Sequence, residues 1–283
     1  MKRLTAYILL AIVAAVCPNP MQAAEAADSI SSDSAYMRLV DEADKACAEY
    51  RWADALEALN SAMHLEPENH GNILLMNNIG MIQHNMGMDT TAVATLSEAH
   101  RRAPSAVMIL MNRAIVLTSM GQTDEALADY DLVMELDSTE VSARFNHGLL
   151  SLQTRRFNDA KKDFDYLSTH FPDSEESLIG NATMHCTMGD FDKAIPLYTS
   201  LIDRHEDVEF IAARAYCRLQ TGDLQEASDD IARALEMAPD DGELYLYRAA
   251  LNKMRYRPDD ARIDALKAVE LGVDRRRVMQ FIK

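Results

Sequence analysis

Three asparagines, Asn78, Asn112 and Asn146, stand 34 residues apart. A primary amide carries both a donor and an acceptor, so a row of them can hold an extended peptide backbone without selecting a side chain. The same residues can equally make local hydrogen bonds, and the row breaks at Gly180, Ala213 and Tyr247. Around it fall Leu74, Met81, Met108, Met111, Ile115, Phe145, Leu149 and Leu152. Methionine is flexible and polarizable, which suits adaptable apolar contact with a ligand. Met76, Met134 and Met237 are expected inside instead. Further along, Glu176, Glu209 and Glu243 recur at steps of 33 and 34 residues. They form either an acidic rim for a basic partner or a set of first-turn acids, each favoured by the helix dipole by about 0.3–1 kcal/mol.

Other reactive residues point to little chemistry. His185 adjoins Cys186, but neighbouring helix residues point about 100° apart and no second cluster has zinc spacing, so no metal is expected. Cys47, Cys186 and Cys217 are an odd set, which leaves at least one thiol unpaired. A Cys186–Cys217 disulfide needs Cα atoms within about 7 Å, tight for stacked helices, and buried free thiols are the expectation. No phosphate-binding, zinc-protease or nucleophile-elbow motif occurs, so neither an enzyme nor a cofactor is expected. The acid pairs Asp229–Asp230 and Asp240–Asp241 read as solvated surface. Asn181-Ala182-Thr183 matches a glycosylation triplet but falls in mid-helix. The net charge of −17 excludes nucleic acid as a favoured partner, since a phosphate backbone demands a basic face.

At the amino terminus Lys2 and Arg3 precede an apolar run from Leu4 to Val16 and then Pro18 and Pro20. Thirteen residues reach about 20 Å, short of a bilayer core of about 30 Å, so residues 1–23 read as a secretory signal peptide, or to Ala26 on the better A-x-A match. Lipidation at Cys17 is the alternative, with Val16 where the motif wants a small residue. No second stretch of spanning length follows, so no membrane insertion of the exported chain is expected. The small, polar residues 24–35 read as a linker.

From residue 36 the chain repeats. A small residue recurs at Ala43, Gly80, Ala114, Gly148, Ala182, Ala215 and Ala249, and twelve places beyond each lies an alanine: Ala55, Ala92, Ala126, Ala160, Ala194, Ala227 and Ala261. Two helices of about 14 residues fill such a period, and helices 8–10 Å apart need small residues where their axes approach. Gly87, Gly121, Gly189 and Gly222 fall where first helices should end, as left-handed caps prefer. Pro67, Pro104, Pro172 and Pro239 fall where second helices should stop. The expected class is all-α, in seven hairpins at 36–69, 73–106, 107–140, 141–174, 175–207, 208–241 and 242–273. Residues 274–283 are expected to form a capping helix that starts at Asp274 and covers the last hairpin with Val278, Phe281 and Ile282.

This pattern resembles the tetratricopeptide repeat (TPR), most fully in 110–138 and 143–172. It departs at Tyr50, Arg155 and Tyr256 in place of the turn glycine, and at Ser138, Glu206 and Val273 in place of the terminal proline. The resemblance implies a right-handed superhelical solenoid with first helices lining a concave groove. It also implies that asparagines matching 78, 112 and 146 hydrogen-bond to a bound peptide backbone. The Lys/Arg set with which chaperone-type TPR domains clamp a terminal carboxylate is absent: Val40, Asp44, Asn77, Met81, Met108 and Asn112 occupy its neighbourhood. The expected function is an exported protein-interaction module holding an extended segment on Asn78, Asn112, Asn146, Met81, Met108, Met111, Ile115, Phe145 and Leu149. The alternative is a non-catalytic, self-associating scaffold of a cell-envelope assembly.

Overall fold

The computed structural model describes residues 34–282. The expected signal peptide, Cys17 and nearly all of the expected linker lie outside the described residues. Within them the chain is all-α. Seven helix pairs run in order: α1 (Ala35–Ala48), α2 (Trp52–Leu65), α3 (Asn72–Asn85), α4 (Asp89–Arg102), α5 (Val107–Ser119), α6 (Thr123–Leu136), α7 (Val141–Gln153), α8 (Phe157–His170), α9 (Glu175–Met188), α10 (Phe191–Arg204), α11 (Val208–Thr221), α12 (Leu224–Met237), α13 (Gly242–Met254) and α14 (Pro258–Glu270), followed by α15 (Arg275–Ile282). The chain divides into two compact units, residues 34–150 and 151–282 of the described part, with the division inside α7.

One turn geometry closes every first helix. Gly87, Gly121, Gly189 and Gly222 are left-handed, and so are the three residues that replace glycine, Tyr50, Arg155 and Tyr256, at φ of 57°, 63° and 57°. The reason is a shared hydrogen bond that ties the residue after the turn to the carbonyl five places back. Arg51 donates to Ala46, Met88 to Gln83, Gln122 to Leu117, Arg156 to Ser151, Asp190 to His185, Asp223 to Arg218 and Arg257 to Asn252, all at 2.7–2.9 Å. That bond caps the helix end only with one left-handed residue inside it.

The exits of the second helices vary more. After α6, where Ser138 replaces proline, the Asp137 carboxylate accepts from the Thr139 amide and hydroxyl at 2.9 and 2.7 Å, and that local turn stops the helix. The longest exit, Glu66 to Gly71, is pinned by Asn72, whose Nδ2 donates to the Glu66 carbonyl at 2.7 Å and whose Oδ1 accepts from the Tyr36 hydroxyl at 3.1 Å.

All fourteen recurring small positions are buried. A Cβ added at Gly80 would stand 2.6 Å from Leu96 Cγ, which shows how closely α3 and α4 approach. In the amino-terminal unit the core runs from Tyr36, Leu59 and Ile82 through Leu96 and Ile109 to Leu110, Tyr130, Val133 and Leu150. In the carboxy-terminal unit α15 lays Val278 and Phe281 against Leu246, Ala249 and Ala265. Asp274 caps α15 by accepting from the Arg276 amide at 2.9 Å.

Candidate functional site

The asparagine row and most of its apolar neighbours belong to the amino-terminal unit, where α3 and α5 are successive first helices. Spacings of three and four residues place Leu74, Asn78 and Met81 along one face of α3, and Met108 and Met111 along one face of α5. Leu74 is exposed, and Asn78, Met81, Met108 and Met111 are half-buried. These five side chains form a partly open strip.

Behind the strip lies a line of amides. Asn112 Nδ2 donates to Asn77 Oδ1 at 2.8 Å inside the unit, and Asn77 Nδ2 donates to Asn78 Oδ1 at 3.4 Å. Asn112 Oδ1 is buried without a hydrogen-bond partner. A buried acceptor left unpaired costs about 1–3 kcal/mol, so this line holds hydrogen-bonding capacity that folding has not used. Asn77 was missed in the sequence, although the doublet Asn77-Asn78 was there as a signal.

The structure corrects the expected open face at six positions. Asn112 is 2% exposed and Asn146 7%. Ile115, Phe145, Leu149 and Leu152 are core residues, Leu152 being 3% exposed. The cause is close approach: Ala114 and its equivalents let neighbouring helices come near enough to cover side chains that helix periodicity alone places on an outer face. Met237 errs in the other direction and is exposed, while Met76 is buried and Met134 half-buried.

The acids of the carboxy-terminal unit are not a uniform rim. Glu243 is held by the Arg277 guanidinium of α15 through two hydrogen bonds. Glu209, in the first turn of α11, is raised from 4.5 to about 7 by burial and by the neighbouring charges of Asp207 and Asp241. Asp207 and Asp241 are the helix caps, accepting from the amides of Glu209 and Glu243 at 2.7 and 2.8 Å. Glu176, in the first turn of α9, is half-buried.

A further polar set escaped the sequence reading. Arg113 binds Asp129, Arg214 binds Asp230 and Arg248 binds Asp264, each with two guanidinium nitrogens and each pair 16 residues apart. Each joins the two helices of one hairpin. Asp230 is therefore not solvated surface; Arg218 also reaches it, at 2.6 Å. The repeating arginine before the small residue was the available signal. At Asn181, in the same place of its hairpin, Nδ2 donates to the Phe164 carbonyl, Ser168 Oγ and the Ser177 carbonyl, which consumes the amide of the glycosylation triplet. Among the described residues no group of three or more His, Cys, Asp or Glu is placed to hold a metal ion, and no helix is long and apolar enough to cross a membrane.

A family model described as tetratricopeptide repeat matches residues 180–242. A crystal structure of a tetratricopeptide repeat protein from Parabacteroides merdae ATCC 43184 is 25% identical and covers 87% of this chain and 97% of its own, with a TM-score of 0.70. YrrB, described as a TPR protein with an unusual peptide-binding site, shares the fold at 20% identity over 65% of this chain and 96% of its own, with a TM-score of 0.52. The tetratricopeptide repeat and J domain-containing co-chaperone DNJ1 of Fusarium oxysporum is 23% identical over 55% of this chain, which spans 39% of that relative's length.

Proposed function

We propose that this chain, which is a tetratricopeptide repeat protein, works as a protein-interaction module that holds an extended segment of a partner along α3 and α5. Leu74, Met81, Met108 and Met111 supply apolar contact that adapts to different side chains, and the Asn78 amide bonds the partner's backbone. Asn112 acts from behind, through Asn77, and fixes the orientation of Asn78. Asn146 continues the same line on α7. The observation that carries this reading is the unused acceptor at Asn112, set behind a half-open strip of methionines. The peptide-binding site described for YrrB lends the same fold a precedent.

A photo-crosslinker at Met111 tests it. The expected result is an adduct with a partner chain that disappears in the triple variant Asn78→Ala, Met81→Ala, Met108→Ala while helicity is unchanged. An adduct of undiminished yield in that variant would sink the reading.

Export accompanies this proposal, because Lys2, Arg3 and the apolar run to Val16 form a cleavable leader. Sequencing the amino terminus of the exported chain checks it, with a start after Ala23 or Ala26 expected. Self-association is a second reading, favoured by Ile263 and Leu266 on the outer face of α14, both exposed. The equivalent places on α6 and α8 carry Ala128, Asp131, Lys162 and Asp165. Light scattering of the chain alone separates the two: a mass that rises with concentration supports self-association, and a constant mass removes it.

A further inference from the structure

The strip along α3 and α5 carries no charge: Leu74, Asn78, Met81, Met108 and Met111 are all neutral. Charge enters on α1, the first helix that precedes them in the same unit. Helix α1 lies beside α3. The Tyr36 hydroxyl donates to Asn72 Oδ1 at 3.1 Å, and Ala43 and Ala46 share a core with Leu75 and Ile79. Met37, Asp41 and Asp44 stand 37 residues before Leu74, Asn78 and Met81, at the same places relative to Ala43 and Gly80. They therefore carry the strip onto α1. Asp41 is exposed, and Met37 and Asp44 are half-buried. Arg38 and Lys45 are exposed on the same helix, and among the described residues no cation is ion-paired with either carboxylate. Resting on the reading above, we propose that Asp41 and Asp44 select a lysine or arginine in the bound segment, so that the partner is an extended chain with a basic residue at one end of its bound stretch and apolar residues along the rest.

The strip divides its work by chemistry. Asn112 Oδ1, buried and unpaired, marks it as a place where folding left hydrogen-bonding capacity for a ligand. Amides bond any peptide backbone, and methionines adapt to any apolar side chain, so neither discriminates between charged partners. The two carboxylates do. They stand one turn apart on one face, and burial together with the charge of Asp41 pushes the Asp44 carboxyl above its ordinary range. An ammonium offers three donors and a guanidinium five, enough to bond both carboxylates at once. Charge-assisted bonds of this kind are about twice as strong as neutral ones. An aspartate or glutamate arriving at the same place meets like charge and is rejected. From α1 to α5 is two helix spacings of about 8–10 Å, which an extended chain crosses in about five or six residues.

The test selects a random decapeptide library, displayed on phage, against the immobilised full chain. The wild type is expected to enrich peptides with a lysine or arginine about five or six places from an apolar pair. In the double variant Asp41→Asn, Asp44→Asn the apolar pattern should persist while the basic preference falls about tenfold, the effect of one charge-assisted hydrogen bond. In Asp41→Lys, Asp44→Lys the preference should turn to aspartate or glutamate at the same place. An apolar pattern without a basic residue on the wild type, or a basic preference that survives the asparagine variant, overturns this inference and leaves the groove reading standing. Enrichment untouched by Asn78→Ala, Met81→Ala, Met108→Ala, or no enrichment at all, removes the groove reading and this inference with it. Selection on the wild type decides the first point without any variant, so a substitution that disturbs folding does not blunt the test.

Discussion

Arg214 and Asp230 face each other across α11 and α12, with guanidinium Nη2 donating to Oδ1 at 2.7 Å and Nε to Oδ2 at 3.0 Å, both residues buried. Arg218 adds a third bond to the same carboxylate. Removing one member of a buried ion pair strands the other charge, at a cost of about 3–5 kcal/mol. We expect Asp230→Ala to lower stability by that amount in urea unfolding. The neighbouring Asp229→Ala, at an exposed position, should change it by less than about 0.5 kcal/mol.

At the turn before α14, Tyr256 holds φ of 57° while 92% exposed, so no packing offsets the backbone strain. Left-handed backbone costs a residue with a Cβ about 1–2 kcal/mol, of which glycine's extra unfolded-state entropy cancels about 0.5–1 kcal/mol. Tyr256→Gly should therefore raise stability by about 0.5–1 kcal/mol, read as a higher melting temperature. Gly222→Ala, at a turn of the same geometry with φ of 88°, should lower it.

Gly180 interrupts the asparagine row for a packing reason. A Cβ there would stand 2.3 Å from the Phe164 ring. Alanine is the better helix former by about 1 kcal/mol, but overpacking of a rigid ring costs about 1–3 kcal/mol. Gly180→Ala is expected to destabilise the carboxy-terminal unit in thermal unfolding, and restoring space with Gly180→Ala plus Phe164→Leu should recover part of the loss.

Glu209 makes stability depend on pH near neutrality. Its folded pKa of about 7 lies above the ordinary 4.5, so the folded state binds a proton more tightly than the unfolded state does. The resulting stabilisation is full below about 4.5 and is lost as pH rises through about 7. Relative to wild type, Glu209→Gln should gain stability between about pH 5 and about pH 8, measured by urea unfolding at each pH. A constant difference across that range would show that Glu209 ionises alike in both states.

The hairpin register was legible in the sequence because it rests on local geometry. Small residues mark where two helices of one hairpin touch, and the left-handed turn is signalled wherever glycine supplies it. At Tyr50, Arg155 and Tyr256 the signal is missing, yet the i to i−5 hydrogen bond imposes the same backbone. Spacing likewise put Asn78 and Met81 on one face of α3, and Met108 and Met111 on one face of α5.

What the sequence by itself determined was the period, the all-α class and the residues that share a face, since these follow from the 3.6-residue turn within single helices. Only the tertiary structure decided which of those faces stay open and which polar groups are consumed. Asp229 and Asp230 are neighbours of one type, one exposed and the other sealed against two arginines. Asn78 and Asn112 occupy equivalent places, one half-open and the other bonded to Asn77 of the preceding hairpin. Burial is set by how closely a second helix approaches, and that distance depends on side chains more than a dozen residues away in the chain.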